Sequence, residues 1–365
     1  MADAAADDVL TLVRDSARAY VGREGGPQHF REVRGASPGF GRAAWTQMAE
    51  LGWLGLGLAE DDGGSGLGDA GVAALMEELG RGPTPEPVTA CGLLPAAILA
   101  GAGAKSDLAR LLSGERVVAV AWQEHAGQRP GDPLETRWHG KRLTGTKRFV
   151  FGAPAADAFL VTATDGAPAL ILVDASRAKV APSPLVDGTF AGTVTFDTDL
   201  TPECRIAGAA VASSVFADAI ERATLAVSAE LVGVMRQAFE MTVGYLRQRR
   251  QFGQPVASFQ ALQFRLADLS TRIALASASL GAALSASAGN DPRQRLARIS
   301  AAKARCSEVA LEVGREAVQL HGAIGYTDDY DVGLYLKRAL VLSAWLGTAT
   351  QHRARYADLT LSEAS

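Results

Sequence analysis

Residues 245–269, YLRQRRQFGQPVASFQALQFRLADL, carry more information than any other stretch of this 365-residue chain. Arg247, Arg249 and Arg250 crowd together; Gly253 and Pro255 then break the pattern before apolar residues resume at helical spacing. Two readings stand on the residues alone. Arginines at the end of a long helix are favoured by its macrodipole and by water, which makes a solvated cap. Alternatively the group clamps a diphosphate. Arg249 lies one turn after Tyr245 on the same side, Gly253 allows close approach, and Phe252 adds an apolar surface.

Outward from this stretch the chain divides into three zones. Residues 1 to about 115 are helical in pattern. FGRAAWTQMAELGWLGLGL predicts a helix with a glycine-rich exit, and DAGVAALMEELGR a second, with Asp69 near its start and Gly80 as its C-terminal breaker. AEDDGGSGLGD between them is a loop, either flexible or phosphate-holding, though it lacks the lysine of a P-loop. From about 116 to 210 short runs such as RVVAVAWQE, RLTGTKRFVFG, DAFLVTA, PALILVD and GTVTFD predict a compact β domain, barrel or sandwich. From about 211 to 365 helices are predicted at 214–248, 256–287, 292–320 and 328–355, with Pro292 early in the third. Long helices with one Ala/Leu/Val face bury it most simply in a four-helix bundle. The fold class is therefore α+β.

Composition narrows the function. With 36 basic and 40 acidic residues the formal charge is −4, which argues against a nucleic-acid binder but leaves room for one anion site. Three distant cysteines and five histidines without a His-x-x-x-His pair predict a reducing compartment and no metal. The opening MADAAADDVLTL lacks the order of a signal peptide, and no apolar run is expected to span a bilayer, so a cytoplasmic location is predicted. AVQLHGAIGYTDD, residues 317–329, sets two glycines around an apolar pair at a helix end. It reads equally as an interhelical loop or a ligand loop, with His321 as a capping residue and Asp328 and Asp329 capping the next helix. No Ser-His-Asp pattern, paired carboxylates or dinucleotide fingerprint is present.

Three separated segments, EDDGGSGLGDAGVAALMEELGR, the opening stretch and QLHGAIGYTDDYDVGLYLKR, together resemble the acyl-CoA dehydrogenase family in order and spacing. The resemblance covers essentially the whole chain. It implies an N-terminal helical domain (1–115), a middle β-barrel (116–210) and a C-terminal four-helix bundle (211–365). It also implies FAD and oxidation of an acyl-CoA to its 2,3-enoyl form. A glutamate takes the α-proton while the β-hydrogen leaves as hydride, and an electron-transfer flavoprotein reoxidises the cofactor. Such proteins are generally tetrameric, and an arginine of one subunit reaches the FAD diphosphate of its neighbour. That arginine corresponds to Arg249, with Gln251 and Phe252 beside it. The later loop opens at Gln319, its glycine pair has become Gly322-Ala323, and Thr348 closes the last cofactor-facing run.

The same resemblance exposes departures. The glutamate of the Tyr-Glu-Gly-Thr run is replaced by Leu346, within AWLGT. The alternative position, 22 residues before Tyr245, holds Ala223. Glu221 is two residues away on a helix and faces about 200° from that position; Asp329 is the other weak substitute. Gln123 and Phe151 stand where flavin-bonding threonines are expected, and Phe151 is expected to fill part of the isoalloxazine space. No catalytic base is therefore assigned. The favoured expectation is the non-catalytic subunit of a heteromeric enzyme, similar to bacterial members that degrade steroid side-chain CoA thioesters. The alternatives are a self-sufficient homotetramer with a relocated base and a non-redox relative binding CoA or a protein.

Overall fold

The computed structural model describes residues 2–361. The helices before the sheet are α1 (Ala2–Arg23), α2 (Gly26–Val33), α3 (Arg42–Glu50), α4 (Gly68–Arg81), α5 (Leu94–Gly101) and α6 (Lys105–Leu112). The chain forms two compact units. One comprises the chain up to Arg31, Ala73–Thr84 and the chain from Thr224; the other comprises Glu32–Val72 and Pro85–Ala223.

The second unit is built on one eight-stranded sheet. Its strands are β1 (Val118–Ala121), β2 (Arg137–His139), β3 (Arg142–Phe151), β4 (Ala158–Thr164), β5 (Pro168–Asp174), β6 (Ala178–Pro184), β7 (Phe190–Asp199) and β8 (Arg205–Ala207). The order is β6-β7-β3-β2-β4-β5-β8, with β1 running parallel beside β4. AFLVTAT and ALILV in β4 and β5 are apolar almost without interruption because both faces of these strands are covered. A register shift between Lys147 and Val150 marks a bulge in β3, where Phe149 takes φ 56 and stays half exposed. The glycine-rich loop 59–68 is closed on itself, with Gly64 N–H donating to Ala59 O and Gly66 N–H to Leu58 O.

The first unit contains α7 (Ala209–Gln248) from Thr224 onward, the short strands β9 (Arg250–Gln251) and β10 (Gln254–Pro255), α8 (Gln260–Ser287), α9 (Pro292–His321), α10 (Val332–Ala344) and α11 (Ala349–Leu361). Helix α9 packs on α8, α10 and α11. The α7 segment joins them through the buried Arg338–Glu230 pair and an Arg236–Ser277 hydrogen bond of 3.1 Å. Asp291 caps α9 by accepting from Arg293 N–H and Gln294 N–H, with Pro292 behind it.

Four expectations change here. Gly80 does not end α4; it lies inside the helix, where a Cβ would meet Glu230 O at 2.3 Å, so close approach of α7 is its reason. Asp328 and Asp329 do not cap α10, which starts after Asp331. The last expected helix is broken between Ala344 and Ala349, because Leu346 (φ 58) and Gly347 (φ 109) turn the chain left-handed. Finally, α8 is long and apolar enough to cross a membrane by length and composition. Its Ala- and Leu-rich length instead runs along α9, to which Arg265 and Arg272 are paired through Glu316 and Glu312.

Candidate functional site

Helix α7 ends at Gln248, and the next residues fold into a two-residue hairpin pairing Gln251 with Gln254 and Arg250 with Pro255. Phe252 (φ 52) and Gly253 (φ 80) occupy its tip, and two successive positive φ values define a type I′ turn. Gly253 is thus required by backbone conformation, and the space around it is open. The backbone of Arg249 is held on both sides: its N–H donates to Tyr245 O and its carbonyl accepts from Val256 N–H, each at 2.8 Å. Its guanidinium, with those of Arg247 and Arg250, is exposed. Among the described residues no carboxylate pairs with any of the three. Phe252 is 89% exposed and touches Phe259 edge-on. A rigid hairpin therefore presents uncompensated positive charge beside an apolar ring, which suits a diphosphate.

The structure brings the loop after α9 to this motif. Tyr245 stacks on His321 at 4.5 Å, and Tyr330 closes on both rings. His321 is buried, and its Nδ1–H donates to Ala317 O at 2.7 Å; burial pushes its pKa down. Gln319 on the last turn of α9 and Gly322 (φ 66) are exposed. Thr348 stands elsewhere, on the turn between α10 and α11. There it forms a capping box with Gln351: Thr348 N–H donates to Gln351 Oε1 at 2.9 Å, and Gln351 N–H to Thr348 Oγ1 at 3.4 Å.

Neither position expected for a base carries a proton acceptor. Leu346 and Ala223 are both buried apolar side chains. Glu221 is buried on α7, and Asp329 is exposed on the loop before α10.

The segment at Gln123 holds a feature that sequence reading missed. Lys147, 0% exposed, places its Nζ 2.8 Å from Glu124 Oε1, 3.2 Å from Trp122 O and 3.1 Å from Thr162 Oγ1. Glu124 also accepts from Glu135 N–H and Thr136 N–H, both at 2.7 Å. Burial alone would raise the Glu124 carboxyl, but these N–H donors and the ammonium bring it down to about 2. The pair ties the loop after β1 to the sheet. Beside it lies a cavity of about 520 Å³, lined by Trp122, Phe216 and Leu170 with Arg129 and Arg137 among its polar walls. Strand period was the available signal: Lys147 falls on the same side of β3 as buried Leu143.

The pattern of the acyl-CoA dehydrogenase N-terminal domain matches residues 8–112, and that of the acyl-CoA dehydrogenase C-terminal domain matches residues 208–359. Acyl-CoA dehydrogenase FadE27 of Mycobacterium tuberculosis is 31% identical over 339 residues, 89% of each chain. This chain belongs to the acyl-CoA dehydrogenase family. Acyl-CoA dehydrogenase IpdE2 of Mycolicibacterium smegmatis is 28% identical, covering 94% of this chain and 96% of the relative. Among solved structures, the ChsE4–ChsE5 complex from Mycobacterium tuberculosis superposes with a TM-score of 0.86 at 29% identity, covering 98% and 97%. Butyryl-CoA dehydrogenase from Megasphaera elsdenii shares the fold, with a TM-score of 0.84 at 20% identity.

Acyl-CoA dehydrogenases are oxidoreductases whose cofactor is FAD. The exposed guanidinium groups at the hairpin, without a carboxylate partner among the described residues, suit its diphosphate. Leu346 and Ala223, at the two positions expected for a base, offer nothing for proton abstraction.

Proposed function

We propose that this chain is the subunit of a heteromeric acyl-CoA dehydrogenase that contributes the FAD diphosphate clamp and no catalytic base. The observation that carries this reading is the exposed, carboxylate-free Arg249 on a rigid hairpin, together with buried Leu346 and Ala223. Arg249 binds the diphosphate, Gln251 and Phe252 flank it, and Gln319, Gly322 and Thr348 complete the cofactor contacts. The chemistry a bound FAD supplies is acceptance of the β-hydrogen as hydride. The proton acceptor belongs to a homologous subunit. The likeness to a complex of two different chains supports this division of labour.

Helix α8 supplies a surface for that subunit. Phe264 and Leu275 are 68% and 54% exposed on it, and the exposed Phe252 stands just before the helix begins. The cavity beside Trp122 suits part of an acyl-CoA, its apolar wall taking the pantetheine arm and Arg129 and Arg137 the phosphates. A steroid side-chain CoA thioester is the substrate class proposed, a cytoplasmic electron-transfer flavoprotein the acceptor. The functional division of the chain is proposed to fall near residues 115 and 210.

The test compares the chain purified alone with the chain co-expressed with a homologous dehydrogenase subunit. FAD absorbance and acyl-CoA oxidation are expected only in the co-expressed sample. Stoichiometric FAD and acyl-CoA oxidation by the chain alone would overturn the proposal.

A further inference from the structure

Lys303 is a buried amine that the proposed chemistry does not use. It lies on α9 between Ile299 and Cys306, at spacings that place all three on the buried stripe. It is 0% exposed. Its Nζ lies 3.0 Å from Leu342 O, 3.4 Å from Ser343 O, 3.1 Å from Gly347 O and 3.1 Å from Ser307 Oγ. Two of these carbonyls belong to the last turn of α10, where helical partners run out. The third belongs to the turn itself. The preceding carbonyl is also held from below: His352 Nε2–H donates to Leu346 O at 3.0 Å, and the same ring lies where a Cβ on Gly347 would sit. Two consecutive carbonyls of a left-handed turn are thus each bound by a buried side chain from another helix.

The Thr348–Gln351 capping box and the bond from Trp345 N–H to Val341 O hold the two ends of the turn, and the two side chains hold its middle. Leu346 at φ 58 is an unfavourable conformation for a branched side chain, and it persists where the surroundings over-determine it. We propose that Lys303 is a positioning residue, acting with His352 to set the turn between α10 and α11 and thereby the place of Thr348. This rests on the reading of Thr348 as a cofactor contact.

The protonation state is consistent with such a clasp. Burial pushes the Lys303 ammonium down to about 7, with the Cys306 thiol nearby, itself pushed up to about 12. As an amine, Lys303 still donates two N–H groups to carbonyls and accepts from the Ser307 hydroxyl. His352 is driven by burial, and next by Lys303, down to about 4, so it stays neutral. Because the folded pKa of Lys303 lies below its unfolded value of 10.5, the unfolded chain binds more protons between about pH 7 and 10.5. Stability from this group is complete above 10.5 and is lost as pH falls toward 7. His352 stays neutral in this window, whereas Cys306, near 9.0 unfolded and about 12 folded, opposes the slope toward and above pH 9, so the Lys303 effect is read cleanly between pH 7 and 8.

Hydrogen exchange of the full chain, read alongside FAD affinity of the co-expressed assembly, tests the proposal with Lys303→Met, His352→Phe and Thr348→Val. His352→Phe probes the same turn should Lys303→Met fail to fold. Expected is about tenfold faster exchange confined to residues 345–352 in the first two variants, the scale of a lost hydrogen bond or two. FAD binding should weaken about tenfold in all three, as misplaced contacts are lost. The rise in stability between pH 7 and pH 8, below the range in which Lys147 and the cysteines contribute, should be smaller in Lys303→Met than in the wild type. Unchanged exchange at the turn, or faster exchange spread evenly over α9–α11, overturns the clasp. Local loosening with full FAD affinity, while Thr348→Val still loses FAD, overturns the positioning role and leaves the cofactor reading intact. If Thr348→Val alone leaves FAD affinity unchanged, the cofactor reading of Thr348 fails, and the positioning role falls with it.

Discussion

Arg249→Ala is expected to weaken FAD binding by the co-expressed assembly roughly 10- to 100-fold, the scale of one or two charge-assisted hydrogen bonds to phosphate. The fold should be untouched, because the guanidinium is exposed and makes no ion pair among the described residues, while the backbone bonds to Tyr245 O and Val256 N–H do not depend on the side chain. Arg249→Lys should recover only part of the affinity. An ammonium supplies charge but not the planar fork that meets two phosphate oxygens at once. Equilibrium dialysis followed by flavin absorbance reads the effect, and a melting curve guards against misfolding. Unchanged affinity in Arg249→Ala would remove the clamp assignment.

The second large effect concerns stability. Lys147→Met should destabilise the chain by about 3–5 kcal/mol, because it strands a buried carboxylate. Glu124→Gln should cost less than Lys147→Met, since the amide oxygen still accepts from one of the two backbone N–H groups now held by the carboxylate. The double variant should recover part of the loss, since the pair then leaves no unpartnered charge. Acid titration gives an independent check. Glu124 titrates near 2 in the folded chain and near 4.5 unfolded, so its stabilisation is present above 4.5 and is lost as pH falls through about 2. Lys147 is pushed down by burial only to about 8, against the pull of Glu124, and keeps its charge throughout that acid window. Urea midpoints between pH 5 and 2 should fall more steeply in the wild type than in Glu124→Gln. Parallel slopes would mean that Glu124 is not held as an ionised hub.

How much of this was legible beforehand depends on the range of the interaction. The opening stretch announced its helix end, its turn and its unmatched arginines, because each follows from neighbours a few residues apart. The type I′ geometry was not legible: Phe at a positive φ is rare enough that composition argues against it. Pro292 marked the start of α9 correctly, since the preference for proline in a first helical turn is local. Gly80 misled because a glycine near a helix end serves a cap or a close approach with the same letter. Only the packing against Glu230 O distinguishes them.

By itself the sequence determined the helical–β–helical order, the family, the arginine motif and the apolar residues at both base positions, all properties of local pattern and residue identity. The tertiary structure decided three other things. Lys147 meets Glu124 across the sheet, Lys303 and His352 seize two carbonyls of one turn, and that turn cuts the last helix in two. Period shows that Lys147 and Lys303 face inward. It cannot name their partners, because a buried amine is satisfied by whichever carbonyls and carboxylates the packed elements deliver to it.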